Sequence, residues 1–228
     1  MNLPMSALDV LAFGWFVVSI FGYHLIAGSP AFAGRSITAA VQRQRVTWMH
    51  NMAHRDNRMM DTMVLQALSQ GNAFFASTSA IGIGGLSALL GSGERAQAML
   101  EQIPYVAKSP PGLWEIKILL MMGIFIFAFF KFAWAFRLSH YTGIMIGATP
   151  IETATNEGER DRHAQRTAEL IGIAAEHANA GLRSFYYVIA ALAWFFHPVA
   201  FVVATTWVLA ILVRRDFFSR SRRILFGP

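Results

Sequence analysis

Two histidines one helical turn apart, His50 and His54, are the residues best spaced to do chemistry in this chain. Side chains at i and i+4 share one helix face, so both imidazoles can reach a single metal ion. They lie in "WMHNMAHRDNRMMDTM", residues 48–63, beside five methionines, two arginines and two aspartates. Asp61 falls two turns beyond His54, about 10 Å along a helix axis, and so cannot complete the same site. A third ligand has to come from elsewhere, and His163 and His177 are the candidates. Met49-x-x-Met52 and Met60-x-x-Met63 raise soft Cu(I) ligation, and the histidines raise haem as a further cofactor. The chain has no cysteine, which removes thiolate catalysis, thiolate metal sites and disulfides.

A plainer reading accounts for more of the pattern. As one helix, residues 48–63 put Trp48, Met49, Met52, Met59, Met60 and Met63 on one face. His50, His54, Asn57, Arg58 and Asp61 fall on the other. That is an amphipathic helix with a methionine face to bury and a polar face to hydrate.

The elements that must position these residues follow from composition. Of 228 residues 55% are hydrophobic and only 14% are charged, against about 25% in an ordinary soluble domain. The charges cluster between apolar runs long enough to cross a bilayer, which takes about 20 residues. The runs are continuous rather than alternating, so the expected class is all-α, a polytopic helical bundle and not a β-barrel. The spans are placed at residues 6–28, 70–91, 113–136 and 184–213, the last broken at 197–198. Polar helical segments occupy 35–68 and 151–183, and residues 93–112 read as a loop. The whole chain is taken as one membrane domain. Ala31-Phe32-Ala33 resembles a signal-peptidase site, yet no Lys or Arg precedes Arg35, so the first span is read as retained.

The break at His197-Pro198 decides between four and five crossings. Proline removes an amide donor and disfavours helix at the residue before it. If the chain reverses there, fourteen Lys and Arg residues of the polar segments and the C-terminal tail lie on one side and two on the other. The positive-inside rule then places the N-terminus outside and the C-terminus in the cytoplasm of a bacterial inner membrane. The net charge of +6 is a record of this topology, and nucleic acid is not an expected partner.

Four ionisable residues fall in or near the apolar runs: Asp9, His24, Lys131 and His197. The first three lie near span ends, where snorkelling to the interface explains them. His197, beside Pro198, fits this less well, though it reaches the outer surface if the chain reverses there. Asn72 is a candidate interhelical hydrogen-bonder, and Ala76, Ala80 and Gly84 form a small-xxx-small stripe for close helix packing. The charge-rich stretch at 156–170 reads as a solvated helix face. No nucleophile–base pair, phosphate loop or paired carboxylate emerges.

Three landmarks follow one another along the chain: "LDVLAFG…FGYHL", "NAFFASTSAI" and "GLRSFYY…LAWFFHP". Together they resemble the bacterial and plant membrane proteins grouped as domain of unknown function family 599. The carrying positions are Asp9, Tyr23, His24, Asn72, Ala76 to Thr78, Gly181 to Arg183, Trp194 and Pro198. His197 departs from the glycine expected there in plant members. The resemblance implies the membrane architecture and supplies no catalytic residues. The expected function is non-enzymatic: an oligomeric pore or transport element, or a structural partner of a larger membrane complex in the lipid bilayer. The alternative is a metal- or haem-binding membrane protein using His50 and His54.

Overall fold

The computed structural model describes residues 5–28, 34–100, 102, 110–151 and 156–226. Among them the chain is all-α. Four helices are long and apolar enough to cross a membrane.

Helix α1, Ala7–Gly28, starts with a reciprocal cap. Ser6 Oγ accepts from the Asp9 amide at 3.2 Å, and the Asp9 carboxylate accepts from the Ser6 amide and hydroxyl. This closes two otherwise orphaned groups of the first turn. Helix α2, Ile37–Ala53, is capped by Ser36, whose hydroxyl accepts from the Ala39 amide. Helix α3 is Met59–Gly91 and α4 is the short Glu94–Leu100. Helix α5, Pro111–Gly147, opens with proline at its first position, where the missing amide costs nothing. Helix α6, Glu157–Leu192, begins polar and ends apolar. A 3-10 turn, Ala193–Phe195, leads to α7, Pro198–Phe217, and a last short helix, α8, Arg220–Phe226.

The packing order follows from named contacts. Helices α3 and α5 run antiparallel: Leu65 lies beside Gly143, and Gly82 beside the Phe125 ring. Helix α6 runs antiparallel to α5, with His163 on the Met145 carbonyl, Gly181 under Phe132, and Trp194 near Lys117. A Cβ at Gly181 would stand 2.6 Å from the Phe132 ring, so glycine is what allows these helices to close. Helix α2 lies antiparallel along the polar half of α6, where Gln42 donates to the Ala168 carbonyl and Arg160 to that of Ala53. At His197-Pro198 the chain reverses. His197 is extended (φ −163°, ψ 145°), its Nδ1 accepts from the Val199 amide, and Pro198 takes the first helical position. Helix α7 then runs back antiparallel to the end of α6 and parallel to α1, pairing Phe16 with Phe201 and Tyr23 with Asp216. His197, which snorkelling explains less well, is therefore a helix cap.

Several boundaries differ from those expected. Residues 48–63 are not one helix: α2 ends at Ala53 and α3 starts at Met59. Met49 and Met52 are buried, while Met59, Met60 and Met63 are exposed on α3. The corner is held by Asp61, which folds back onto α2, so the methionine face divides between two helices. The second and third apolar helices begin earlier or end later than the runs 70–91 and 113–136, because amphipathic turns extend both. Part of the 93–112 loop is the helix α4, and residues 103–109 lie outside the described residues. So does Ala31-Phe32-Ala33.

The small-residue stripe also packs differently. Helix α3 meets α5 through Leu65, Ser79, Gly82 and Leu86, with the Phe125 ring 3.0 Å from where a Gly82 Cβ would stand. Ala80 and Gly84 are exposed, and Ala76 is half-buried. An aromatic ring seated over Gly82, rather than backbone approach along Ala76, Ala80 and Gly84, brings these two helices together.

Candidate functional site

Polar groups gather at both ends of the bundle. At one end Asp9 is buried, accepting from Trp194 Nε1 at 2.8 Å as well as from Ser6. Lys117, also buried, lies 5.7 Å from the faces of Trp194 and Phe195. Asp9 therefore does not snorkel; it is tied into the core by an indole donor from the far end of the sequence.

At the other end a cavity of about 510 Å³ opens between α1, α2, α5, α6 and α7. Arg45 of α2, Lys131 of α5, and His177 and Arg183 of α6 line it, with Glu176 and Asp216 as the acids. His24, itself exposed, lines it as well, so His24 and Lys131 border the same polar space. Of the two acids, Asp216 is engaged. Asp216 accepts from the Tyr23 hydroxyl and from Arg215 Nε. Arg183 stacks over Tyr23, its guanidinium carbon 5.7 Å from the ring centre. The Nδ1 atom of His177 is buried and has no hydrogen-bond partner among the described residues. Burial lowers Arg45, against the nearby Glu176 carboxylate. Arg45, Lys131 and Arg183 thus share the cavity with two acids, Glu176 and Asp216.

The histidine pair sits at the edge of this end, where α2 stops. The His50 and His54 rings lie 4.6 Å apart at 42°. Asp161 of α6 meets them, its Oδ1 3.1 Å from His50 Nδ1 and 3.8 Å from His54 Nε2. The third group beside the pair is thus Asp161 and not His163 or His177. His163 is spent on the Met145 carbonyl at 2.7 Å, and His177 faces the cavity. Asp61 stays apart, buried against Trp48 and Arg55. The adjacent, tilted rings leave no slot for a porphyrin between them, so the pair does not suit haem. The methionine pairs are separated too: Met52 Sδ accepts from Thr149, whereas Met60 and Met63 are exposed on α3. Asn72, expected to bridge helices, is half-buried on α3.

The family model described as "Protein of unknown function, DUF599" matches residues 11–221. The chain belongs to this family. No curated protein and no solved structure matches it. For this DUF599 chain the structure shows what the separated landmarks do: the first and last meet at both ends of the bundle, through Asp9 with Trp194 and through Tyr23 with Arg183. This chain also uses charged groups beyond those its sequence singles out. Lys117 is the fifth residue of the third apolar run, and a charge inside such a run is itself a functional signal. Asp216 lies just beyond the last run, and Asp161 hides among the alternating charges of 156–170, where spacing alone does not single it out.

Proposed function

We propose that this protein crosses the bacterial inner membrane five times and holds a phosphate- or carboxylate-bearing anion in the cavity at its cytoplasmic end. It acts as a non-enzymatic binding or transport element. The observation that carries this reading is the convergence of Arg45, Lys131, His177 and Arg183, from three helices, on one cavity of about 510 Å³. Guanidinium and ammonium groups in a partly dry space recognise oxyanions by charge-assisted hydrogen bonds.

The membrane reading rests on the outer surface. Large apolar side chains such as Leu11, Val18, Phe130, Ile189, Val203 and Trp207 are exposed on four different helices, which water does not tolerate over so wide an area. The two polar ends are separated by 14 residues on both α1 (Asp9 to Tyr23) and α5 (Lys117 to Lys131). At 1.5 Å per residue this is about 21 Å, so both clusters lie just inside the edges of a hydrocarbon layer about 30 Å thick. The reversal at Pro198 makes the end of α6 the fourth crossing and α7 the fifth. It puts the basic tail on the same side as α2 and the polar half of α6. Reporter fusions after Pro228 are expected to be active only on the cytoplasmic side; a periplasmic signal defeats the topology. Ala80 and Gly84, small and exposed on α3, favour self-association of copies in the bilayer.

The cavity is tested with the purified full chain in detergent. Binding of inorganic phosphate and of anionic-lipid nanodiscs is measured separately, because a free anion and a headgroup share this chemistry. Either ligand is expected to bind the wild type and to lose about 10- to 100-fold in affinity in Lys131→Gln or Arg183→Gln, as removal of a charge-assisted bond implies. Equal binding by the wild type and both variants, or no binding of either probe, rules the anion site out.

A further inference from the structure

We propose that His50, His54 and Asp161 form a site for a divalent first-row transition metal that clamps the end of α2 to the first turns of α6. This site is independent of the anion cavity. One donor atom from each residue lies within 4.8 Å of the other two. Metal–nitrogen and metal–oxygen bonds of about 2.0–2.2 Å put tetrahedral ligand atoms some 3.3–3.6 Å from one another. The distances of 3.1 Å and 3.8 Å to Asp161 Oδ1 already bracket that spacing.

The tautomer is set for ligation. His54 Nδ1 lies 2.9 Å from the His50 carbonyl, a bond the ring can make only as a donor. In the neutral ring Nε2 then carries the lone pair, and this is the atom turned towards Asp161. A backbone carbonyl holding one imidazole nitrogen so that the other can bind metal is the usual arrangement around ligating histidines.

The scaffold is rigid where the site needs it. Met49, Met52 and Ala53 of α2 are buried against Ala164 and Ala168 of α6. Arg160, the residue before Asp161, donates to the Ala53 carbonyl at 2.6 Å. The register between the helices is therefore fixed by packing on one side of α2, while the histidines and Asp161 meet on the other. The His50 and Asp161 side chains are 55% and 45% exposed, so metal reaches the site from water and keeps water in its open position. A His₂-carboxylate set with an open position suits zinc or iron(II) and disfavours magnesium and calcium, which prefer oxygen donors.

The test uses the full chain in detergent, stripped with a chelator and titrated with Zn²⁺ alone, with Mg²⁺ as the hard-cation control. One Zn²⁺ per chain is expected, with a rise in thermal midpoint. His54→Ala and Asp161→Ala are each expected to weaken Zn²⁺ binding at least tenfold and to abolish the thermal shift. Asp161→Asn, which keeps the shape of the side chain but not the carboxylate, is expected to behave as Asp161→Ala does. His163→Ala is expected to bind as the wild type. The His54 and Asp161 side chains are 32% and 45% exposed, so their replacement removes no core packing. Failure of the wild type to bind Zn²⁺ stoichiometrically overturns the site, as does unchanged affinity in His54→Ala or Asp161→Asn.

Discussion

Replacing Trp194 with alanine is expected to cost about 3 kcal/mol of stability, measured by titrating the protein from mild into denaturing detergent. Loss of a large buried aromatic costs about 3–5 kcal/mol in water-soluble cores. The low end applies here because the apolar part of the indole gains little by leaving lipid or detergent for protein. What remains is packing and one polar bond. Trp194 is fully buried, stacked on Phe201 at 5.0 Å and on Phe13 at 6.0 Å. Its Nε1 donates to Asp9 Oδ1. Alanine leaves a cavity between α1 and α7 and removes a donor from a buried carboxylate. Trp194→Phe separates the two effects: the rings still stack, and a cost of about 1–2 kcal/mol is expected from the lost bond alone. A loss below about 1 kcal/mol for the alanine variant contradicts the view that this indole joins the two ends of the chain.

How much of this was legible in the sequence depends on range. The apolar runs, the helical class and the breaking effect of Pro198 are local properties, visible in windows of about 20 residues. The family landmarks were legible too, though not that Asp9 and Trp194 form a hydrogen bond. The helix ends were less legible. The pattern Trp48–Met63 has helical periodicity throughout, and nothing local says that the chain turns at residues 54–58. The turn exists because Asp61 accepts from Trp48 and Arg55 across the corner, a tertiary contact that overrides periodicity. The same holds at the candidate sites. Lys131 and His24 each look like snorkelling residues near span ends when taken one at a time. Only the juxtaposition of α1, α2, α5 and α6 makes them border one cavity with Arg183 and His177. The sequence points to histidines as partners for His50 and His54, because an aspartate in a mixed-charge helix carries no distinguishing signal.

The corner between α2 and α3 gives the second large effect, and it bears on both sites at once. Asp61 is fully buried in the first turn of α3. Its Oδ1 accepts from Trp48 Nε1 at 2.7 Å and from Arg55 Nη1 at 2.8 Å. A carboxylate there also meets the positive end of the α3 dipole. Asp61→Asn keeps the shape, loses the charge and leaves Arg55 without its partner. Breaking a buried pair costs about 3–5 kcal/mol, but Arg55 can rehydrate because its side chain is 38% exposed. About 2–3 kcal/mol is therefore expected. A double-mutant cycle isolates the contact: Asp61→Asn in an Arg55→Gln background is expected to cost at least 1 kcal/mol less than in the wild type. Additive costs, within about 0.5 kcal/mol, would show that the pair does not hold the corner. The consequence reaches function through α2, which carries Arg45 into the anion cavity and His50 and His54 towards Asp161. Faster amide exchange along Ile37–Ala53 in Asp61→Asn, with α5 unchanged, is the signature expected if this one carboxylate sets the position of both.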